Sequence, residues 1–283
     1  MEQDLEQQTE QHTGRSTGQA TGQRIGQRIV VKVGSNTLTD RQGAPDRRYI
    51  AALVDQLAVL VRAGHQIVLV TSGAIAAGRE VLGASRVNDE LSQMQAAASV
   101  GQVALTEAYA AEFGRRQITI GQILLTRSDT EKPESLAHAR NTFNELLALG
   151  VVPVVNENDT VAVDEICFGD NDTLAAMVAE MICADRLVIL TDVEGLFDSD
   201  PNSDPQARFI ARLHAIDDEM LESAHIGDSH SGIGSGGMRS KLAAARDMLD
   251  AGIVTVLCEG RRANVVIDAV GPDPVGTVIA RAD

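Results

Sequence analysis

The sequence predicts an α/β protein, a three-layer sandwich whose central sheet is mostly parallel. Three observations carry this. Short β-branched runs recur along the chain and are apolar almost throughout, as strands covered on both faces are. Longer segments between them place apolar residues at helical spacing. The first two runs bracket the stripe Ile50, Leu53, Val54, Leu57 and Val61, which ends near Gly64, so the N-terminal part reads as a strand, a glycine-closed crossover helix and a second strand.

In chain order the predicted strands are 28–33, 66–70, 118–125, 151–155, 186–190 and 254–257. After the first crossover helix, further helices are expected at 91–113, 135–149, 171–184 and 240–251. The alanines of the second helix, Ala96, Ala97, Ala98 and Ala104, allow close packing against a partner chain, although the pattern suits an ordinary buried helix as well. Residues 1–27 are rich in Gln, Thr and Gly and are expected to form a disordered tail ahead of one domain spanning 28–283.

Composition narrows the function classes. With 24 basic against 40 acidic residues, the net charge of −16 argues against a nucleic-acid scaffold. No run approaches the ~20 apolar residues that a membrane helix needs, and the N-terminus lacks the apolar core of an export signal. Cys167, Cys183 and Cys258 are far apart and have no histidine at ligand spacing, which predicts neither a zinc site nor a disulfide framework and fits a reducing cytoplasm. The histidines His65, His138, His214, His225 and His230 have no evident catalytic partner.

Ligands of a parallel sheet collect at the carboxyl ends of its strands. There the sequence places Gly34-Ser35-Asn36, Thr71-Ser72-Gly73-Ala74, Asn156-Glu157-Asn158-Asp159 and Thr191-Asp192. Each alone reads as a turn and a helix cap. Four at equivalent places read as an anion site, because glycines let backbone N–H groups approach a ligand and helix N-termini add partial positive charge.

Lysine usage points the same way. Among the 24 basic residues only Lys32, Lys132 and Lys241 are lysines. Lys32 lies inside the first strand between two valines, where an ammonium group needs a reason to be tolerated. Lys241 follows the glycine-rich run from Gly232 to Ser240 at the start of a helix. A compact ammonium suits a phosphoryl group as a point charge, whereas a guanidinium imposes a planar fork. The run does not have Walker A spacing. Gly169-Asp170-Asn171-Asp172-Thr173 opens another helix, and capping needs only one of its acids, so one carboxylate is expected to orient the cations and the other to help hold metal or substrate.

With these motifs assembled, the sequence resembles the amino acid kinase family over about residues 28–279, and within it the members that phosphorylate the γ-carboxylate of L-glutamate. The carrying runs are Val31-Lys32-Val33-Gly34-Ser35, Val70-Thr71-Ser72-Gly73-Ala74-Ile75-Ala76-Ala77-Gly78, Asn156-Glu157-Asn158-Asp159, Gly169-Asp170-Asn171-Asp172, Thr191-Asp192 and Gly234-Ser235-Gly236-Gly237-Met238-Arg239-Ser240-Lys241. The resemblance implies the amino acid kinase fold, ATP with Mg²⁺ as cofactors, L-glutamate as substrate and a place at the start of proline biosynthesis. It implies Lys32, Lys241, Asp172 and Asp170 as catalytic residues, and Ser72, Gly73, Asn156, Asp159 and Asn171 as the glutamate site. It further implies ATP contacts from Lys32, Gly34, Thr191, Asp192 and the run Ser235, Gly236, Gly237, Met238, Arg239, Ser240 and Lys241, with no metal ligand assigned.

Proline feedback and homo-oligomerisation are expected on the same basis; nucleic-acid and membrane partners are not. Relatives often carry a C-terminal RNA-modification-type domain, of which this sequence shows no counterpart up to Asp283, so no RNA role is expected. Phe197 and Ser240 stand where relatives often have tyrosine and threonine. The alternatives are a family member with a different acceptor and a catalytically silent sensor of amino acid or nucleotide.

Overall fold

The computed structural model describes residues 26–161, 171–199, 204, 206–224 and 237–282. Residues 1–25 of the expected tail lie outside that set, as do Cys167, Asp170, His225, His230, Ser235 and Gly236.

β1 (Arg28–Val33) runs into the single turn α1 (Ser35–Leu38), then α2 (Arg47–Arg62), β2 (Gln66–Val70) and α3 (Ala74–Leu82). The long α4 (Leu91–Arg115), β3 (Ile120–Leu125), α5 (Arg127–Glu131), α6 (Pro133–Ala148), β4 (Val152–Glu157) and α7 (Asn171–Met181) follow. The C-terminal part contains β5 (Arg186–Thr191), β6 (Leu196–Phe197), β7 (Phe209–Ile210), β8 (Arg212–Leu213), α8 (Asp218–Ser223), α9 (Met238–Ala251), β9 (Val254–Glu259), α10 (Val265–Val270) and β10 (Thr277–Ile279). Among the described residues the main sheet has the order β3-β4-β2-β1-β5-β9-β10-β8. Its pairings are parallel except for β9 with β10, and β6 and β7 form a separate antiparallel pair.

Strand alternation assigns the two faces. In β1, Ile29, Val31 and Val33 join α2, α4 and α10 in one buried cluster, while Val30 joins the cluster built on α7 and α9. Lys32 shares the parity of Val30, so its side chain leaves β1 on the α7/α9 side. Strands covered on both faces account for the near-continuous apolar runs read from the sequence. α2 is capped by the Asp46 side chain, which accepts from the N–H groups of Arg48 and Tyr49 at 3.1 Å each, and Gly64 just beyond it takes a φ of +91°.

Several element bounds differ from the sequence reading. β4 continues to Glu157, β5 to Thr191 and β9 to Glu259, because pairings such as Leu125 with Glu157 and Thr191 with Glu259 carry the ladder onward. Asn156, Glu157 and Thr191 are therefore the last residues of strands rather than loop residues. α7 ends at Met181, before Cys183 adopts a φ of +50°. The short elements α1, α3, α5, α8, α10, β6 to β8 and β10 are too brief to produce a periodicity signal.

α4 packs against α3 of the same chain. The approach is a backbone one: a Cβ on Gly78 would stand 1.9 Å from the Ala97 carbonyl oxygen, and a Cβ on Gly101 would stand 1.8 Å from that of Ala74. Glycine at both positions lets the helices meet without side chains between them. This contact seats α4 beside the start of α3, where the Thr71-Ser72-Gly73 turn lies. Gly73 is the N-cap of α3 at a φ of +89°, a left-handed conformation that favours glycine. No helix among the described residues is long and apolar enough to cross a membrane.

Gly101→Ala is expected to destabilise the fold by about 3 kcal/mol, the upper range for overpacking against backbone. Gly114→Ala in the same helix meets nothing within 4 Å and should be neutral or slightly stabilising. Denaturant midpoints of the two variants check the contrast; equal effects would remove the close approach as the cause.

Candidate active site

The four central strands β4, β2, β1 and β5 lie side by side and parallel, so their carboxyl ends face one edge of the sheet. Two clusters of side chains are described there, and adjacent residues of α7 join them.

The first cluster is cationic. Lys32 Nζ stands 2.5 Å from Asp172 Oδ1, and Lys241 Nζ stands 3.3 Å from Asp172 Oδ2. Lys32 comes from β1, Asp172 from the first turn of α7 and Lys241 from the first turn of α9, so three elements distant in sequence meet on one carboxylate. Ser240 Oγ lies 3.1 Å from Asp172 Oδ2 and 2.9 Å from the Gly237 carbonyl, two acceptors for its single proton. Lys241 Nζ also donates to that carbonyl, at 3.3 Å. Asp172 is fully buried, and Lys32 and Lys241 are only 4% and 8% exposed. Burial alone would raise the Asp172 pKa, but the two ammonium groups outweigh it and hold the carboxyl below its ordinary value. Among the described residues the cluster carries two positive charges against one negative, a net charge of about +1 in a protein of net −16.

Gly34 completes this half. A Cβ there would stand 3.2 Å from Lys32 Nζ, so the glycine keeps the ammonium group uncrowded where the chain turns into α1. Thr191 closes β5 and donates from Oγ1 to Asp192 Oδ1 at 3.1 Å, with Asp192 exposed. Gly237 is the N-cap of α9, Met238 is its first residue and Arg239 is exposed. Ser240 is held at the start of α9 by the pair of contacts through its hydroxyl. Phe197 packs edge-on against Phe209, with ring centroids 5.5 Å apart.

The second cluster is rich in oxygen and has neutral amides and hydroxyls at its centre. Asn171 Nδ2 reaches the Thr71 carbonyl at 2.6 Å, Ser72 Oγ at 2.9 Å and Asn156 Oδ1 at 2.8 Å. The Thr71 hydroxyl shares a 2.9 Å hydrogen bond with Tyr109 of α4, which is fully buried and whose pKa burial pushes up. Asp159 lies two residues beyond β4. Burial first, and the nearby Glu157 charge second, push its pKa up to about 7.

The structure thus brings Lys32, Lys241, Asp172, Ser240 and Gly34 together, and separately Asn171, Ser72 and Asn156 beside Gly73. Tyr109, Gln102 and Thr106 of α4 were not singled out by sequence reading; Tyr109 meets Thr71, and Gln102 and Thr106 lie behind Asn156. Their residue types have no spacing signature, and only the α3–α4 contact puts them near the turn. Among the described residues no group of three or more His, Cys, Asp or Glu side chains could hold a metal ion.

Asp159 makes stability depend on pH in a stated direction. Its folded pKa lies above the ordinary value of 3.8, so its contribution is fully present below about pH 4 and is lost as pH rises towards about 7. The stability of Asp159→Asn relative to the parent should therefore increase between pH 4 and 7 and level off above that. Chemical denaturation at several pH values measures it; a flat difference would return Asp159 to an ordinary titration.

Comparison with known proteins places most of the chain beside a known family and fold. Residues 27–259 match the amino acid kinase family. Over 248 residues the chain is 46% identical to glutamate 5-kinase from Ralstonia nicotianae, covering 88% of this chain and 66% of that one. The corresponding enzyme of Vibrio vulnificus is 45% identical over 88% of this chain and 65% of its own. That of Pelobacter propionicus is 42% identical over 90% and 68%. The chain thus spans about two thirds of the length of these curated relatives. In architecture it is similar to UMP kinase from Ureaplasma parvum, with a TM-score of 0.63 at 15% identity over 90% of this chain and 99% of that one. Carbamate kinase from Giardia lamblia, solved with AMP-PNP, gives 0.62 at 18% identity over 92% and 100%. The sheet order, the paired lysines and a family match covering most of the sequence lead to one conclusion: the chain belongs to the amino acid kinase family.

Proposed function

We propose that this protein is a phosphotransferase with a carboxyl acceptor, transferring the terminal phosphoryl group of ATP to the γ-carboxylate of L-glutamate to give L-glutamyl 5-phosphate, the opening step of proline biosynthesis. The observation that carries the reading is the convergence of Lys32 and Lys241 on the two oxygens of buried Asp172. Relatives named glutamate 5-kinase at 42–46% identity support the choice of acceptor.

The chemistry sets modest demands on proton transfer. A γ-carboxylate has a reference pKa near ~4.3 and is already an anionic nucleophile at neutral pH, so no general base is required. The difficulty lies in bringing two anions together inside an acidic protein. Lys32 and Lys241 supply the compensating charge, and Asp172 holds both ammonium groups in place before substrates arrive, so little reorganisation accompanies the reaction. Backbone N–H groups beside Gly34 and Gly73 add donors at the same edge. Asp159 and the oxygen of Asn171 are assigned to the cationic α-amino group of glutamate, with Ser72, Gly73 and Asn156 completing that half.

Lys32, Gly34, Thr191, Asp192, the segment 235–240 and Lys241 are assigned to the nucleotide. The uncrowded ammonium beside Gly34 and the glycine-capped start of α9 fit a phosphate chain. Bound ATP supplies the phosphoryl group, and Mg²⁺ supplies part of the charge neutralisation. With Asp172 engaged by two lysines and no carboxylate cage among the described residues, the Mg²⁺ ligands would come mainly from the nucleotide phosphates and water. Asp170 is assigned to this charge network by family resemblance. On the same basis the enzyme is expected to self-associate, to respond to proline and to work in the cytoplasm, where the unpaired Cys183 and Cys258 would stay reduced.

An acyl phosphate reacts with hydroxylamine, so hydroxamate formation identifies the acceptor. The expected result is hydroxamate and ADP release with L-glutamate, and neither with N-acetylglutamate or aspartate; the reverse pattern would transfer the protein to another acceptor. Lys241→Arg keeps the charge and changes its shape, and should lower kcat roughly a hundredfold, in the range for losing one preorganised donor. A near-parental kcat would show that a point charge is not needed there.

A further inference from the structure

Behind the proposed glutamate half of the site, a chain of side-chain amides runs out to α4. Asn156 Nδ2 donates to Gln102 Oε1 at 2.8 Å, and Gln102 Nε2 donates to Thr106 Oγ1 at 3.2 Å. Thr106 Oγ1 donates its proton to the Gln102 carbonyl at 2.7 Å and accepts from Gln122 Nε2 at 3.0 Å. At the inner end Asn156 Oδ1 accepts from Asn171 Nδ2 at 2.8 Å.

Such a chain has a direction, and something must set it. A terminal amide can turn over with little change in shape, exchanging its donor for its acceptor. A hydroxyl has one proton. That of Thr106 goes to a main-chain carbonyl, which can only accept, so towards side chains Thr106 Oγ1 acts as an acceptor. Gln102 must then turn Nε2 to Thr106 and Oε1 to Asn156. Asn156 must answer with Nδ2, which leaves its Oδ1 facing Asn171. Reversing one amide would set nitrogen against nitrogen or oxygen against oxygen at hydrogen-bond distance, which is costly at Asn156, only 2% exposed, and less so at half-buried Gln102. The Thr71 carbonyl holds Asn171 in the matching sense, with Nδ2 turned inward and Oδ1 left as the atom the residue can present to a ligand.

We infer that Thr106, acting through Gln102, is a positioning residue that keeps the oxygen of Asn156 towards Asn171 and so sets the substrate half of the site to receive a cation, the α-ammonium group of an amino-acid substrate. Nothing in the chain touches the reacting phosphoryl group, so its influence is on acceptor recognition and not on the transfer step. The inference rests on the reading of glutamate as substrate.

The test compares Thr106→Val, which keeps the branched shape and removes the hydroxyl, with Thr106→Ser, which keeps the hydroxyl. Acceptors are L-glutamate and glutarate, the same dicarboxylate without the ammonium group. Thr106→Val should raise the glutamate KM about fivefold to tenfold, the effect of one misdirected polar contact. It should leave the ATP KM and the kcat at saturation within about twofold, since removal of uniform substrate binding appears in KM alone. The kcat/KM preference for glutamate over glutarate should fall by the same fivefold to tenfold, and Thr106→Ser should restore it. Gln102→Met, which removes the acceptor facing Asn156, should show the same split and serves as the deciding variant if Thr106→Val does not fold. An unchanged glutamate-to-glutarate preference in an active variant would overturn the inference alone, as would parallel rises in the glutamate and ATP KM values. A parental enzyme that forms no glutamyl hydroxamate would instead defeat the substrate reading, and this inference with it.

Discussion

One buried carboxylate shared by two ammonium groups is the constraint on which this structure turns. Lys32 sits in the middle of a parallel sheet, Lys241 at the head of a helix formed more than two hundred residues later, and Asp172 between them is fully buried. Removing Asp172 would leave two buried ammonium groups without their compensation, which is strongly destabilising in a low-dielectric interior. The same arrangement keeps a surplus positive charge at the edge of an otherwise acidic molecule. Folding and charge placement are thus coupled: β1, α7 and α9 must dock for the lysines to be tolerated at all, and once docked they hold a preorganised cationic site.

The second half of the site depends on backbone proximity rather than charge. Gly78 and Gly101 let α3 and α4 approach until only a glycine fits between them. That contact carries Tyr109 to the Thr71 hydroxyl and sets Gln102 against Asn156. Asn171 and Asp172, consecutive on α7, tie the oxygen-rich cluster to the cationic one. A helix rotates successive side chains by about 100°, so two neighbouring residues can serve two adjoining pockets from a single rigid turn.

Much of the fold was readable before any coordinates. β1 and β2 fall where their apolar runs predict, and the crossover helix between them follows its buried stripe of Ile50, Leu53, Val54 and Leu57. The strands β4, β5 and β9 run further than their apolar segments because pairing with neighbours continues through Asn156, Glu157 and Thr191, residues whose types suggest loops. The pairing of Lys32 with Lys241 was foreshadowed by the scarcity of lysine and by the places where it occurs. Tyr109, Gln102 and Thr106 had no such signal, since none belongs to a motif and each gains meaning only from what stands opposite.

The sequence by itself determined the layered α/β architecture, the sites of the rare lysines and the small polar residues at strand ends, because periodicity, burial preference and turn chemistry are local properties of the chain. Only the tertiary structure decided that both lysines meet on one carboxylate, that an alanine-rich helix packs inside its own chain, and that a threonine hydroxyl orients amides two residues removed from it. Those outcomes depend on distances between segments far apart in sequence, and on which atom of an amide faces which neighbour. No local pattern encodes either.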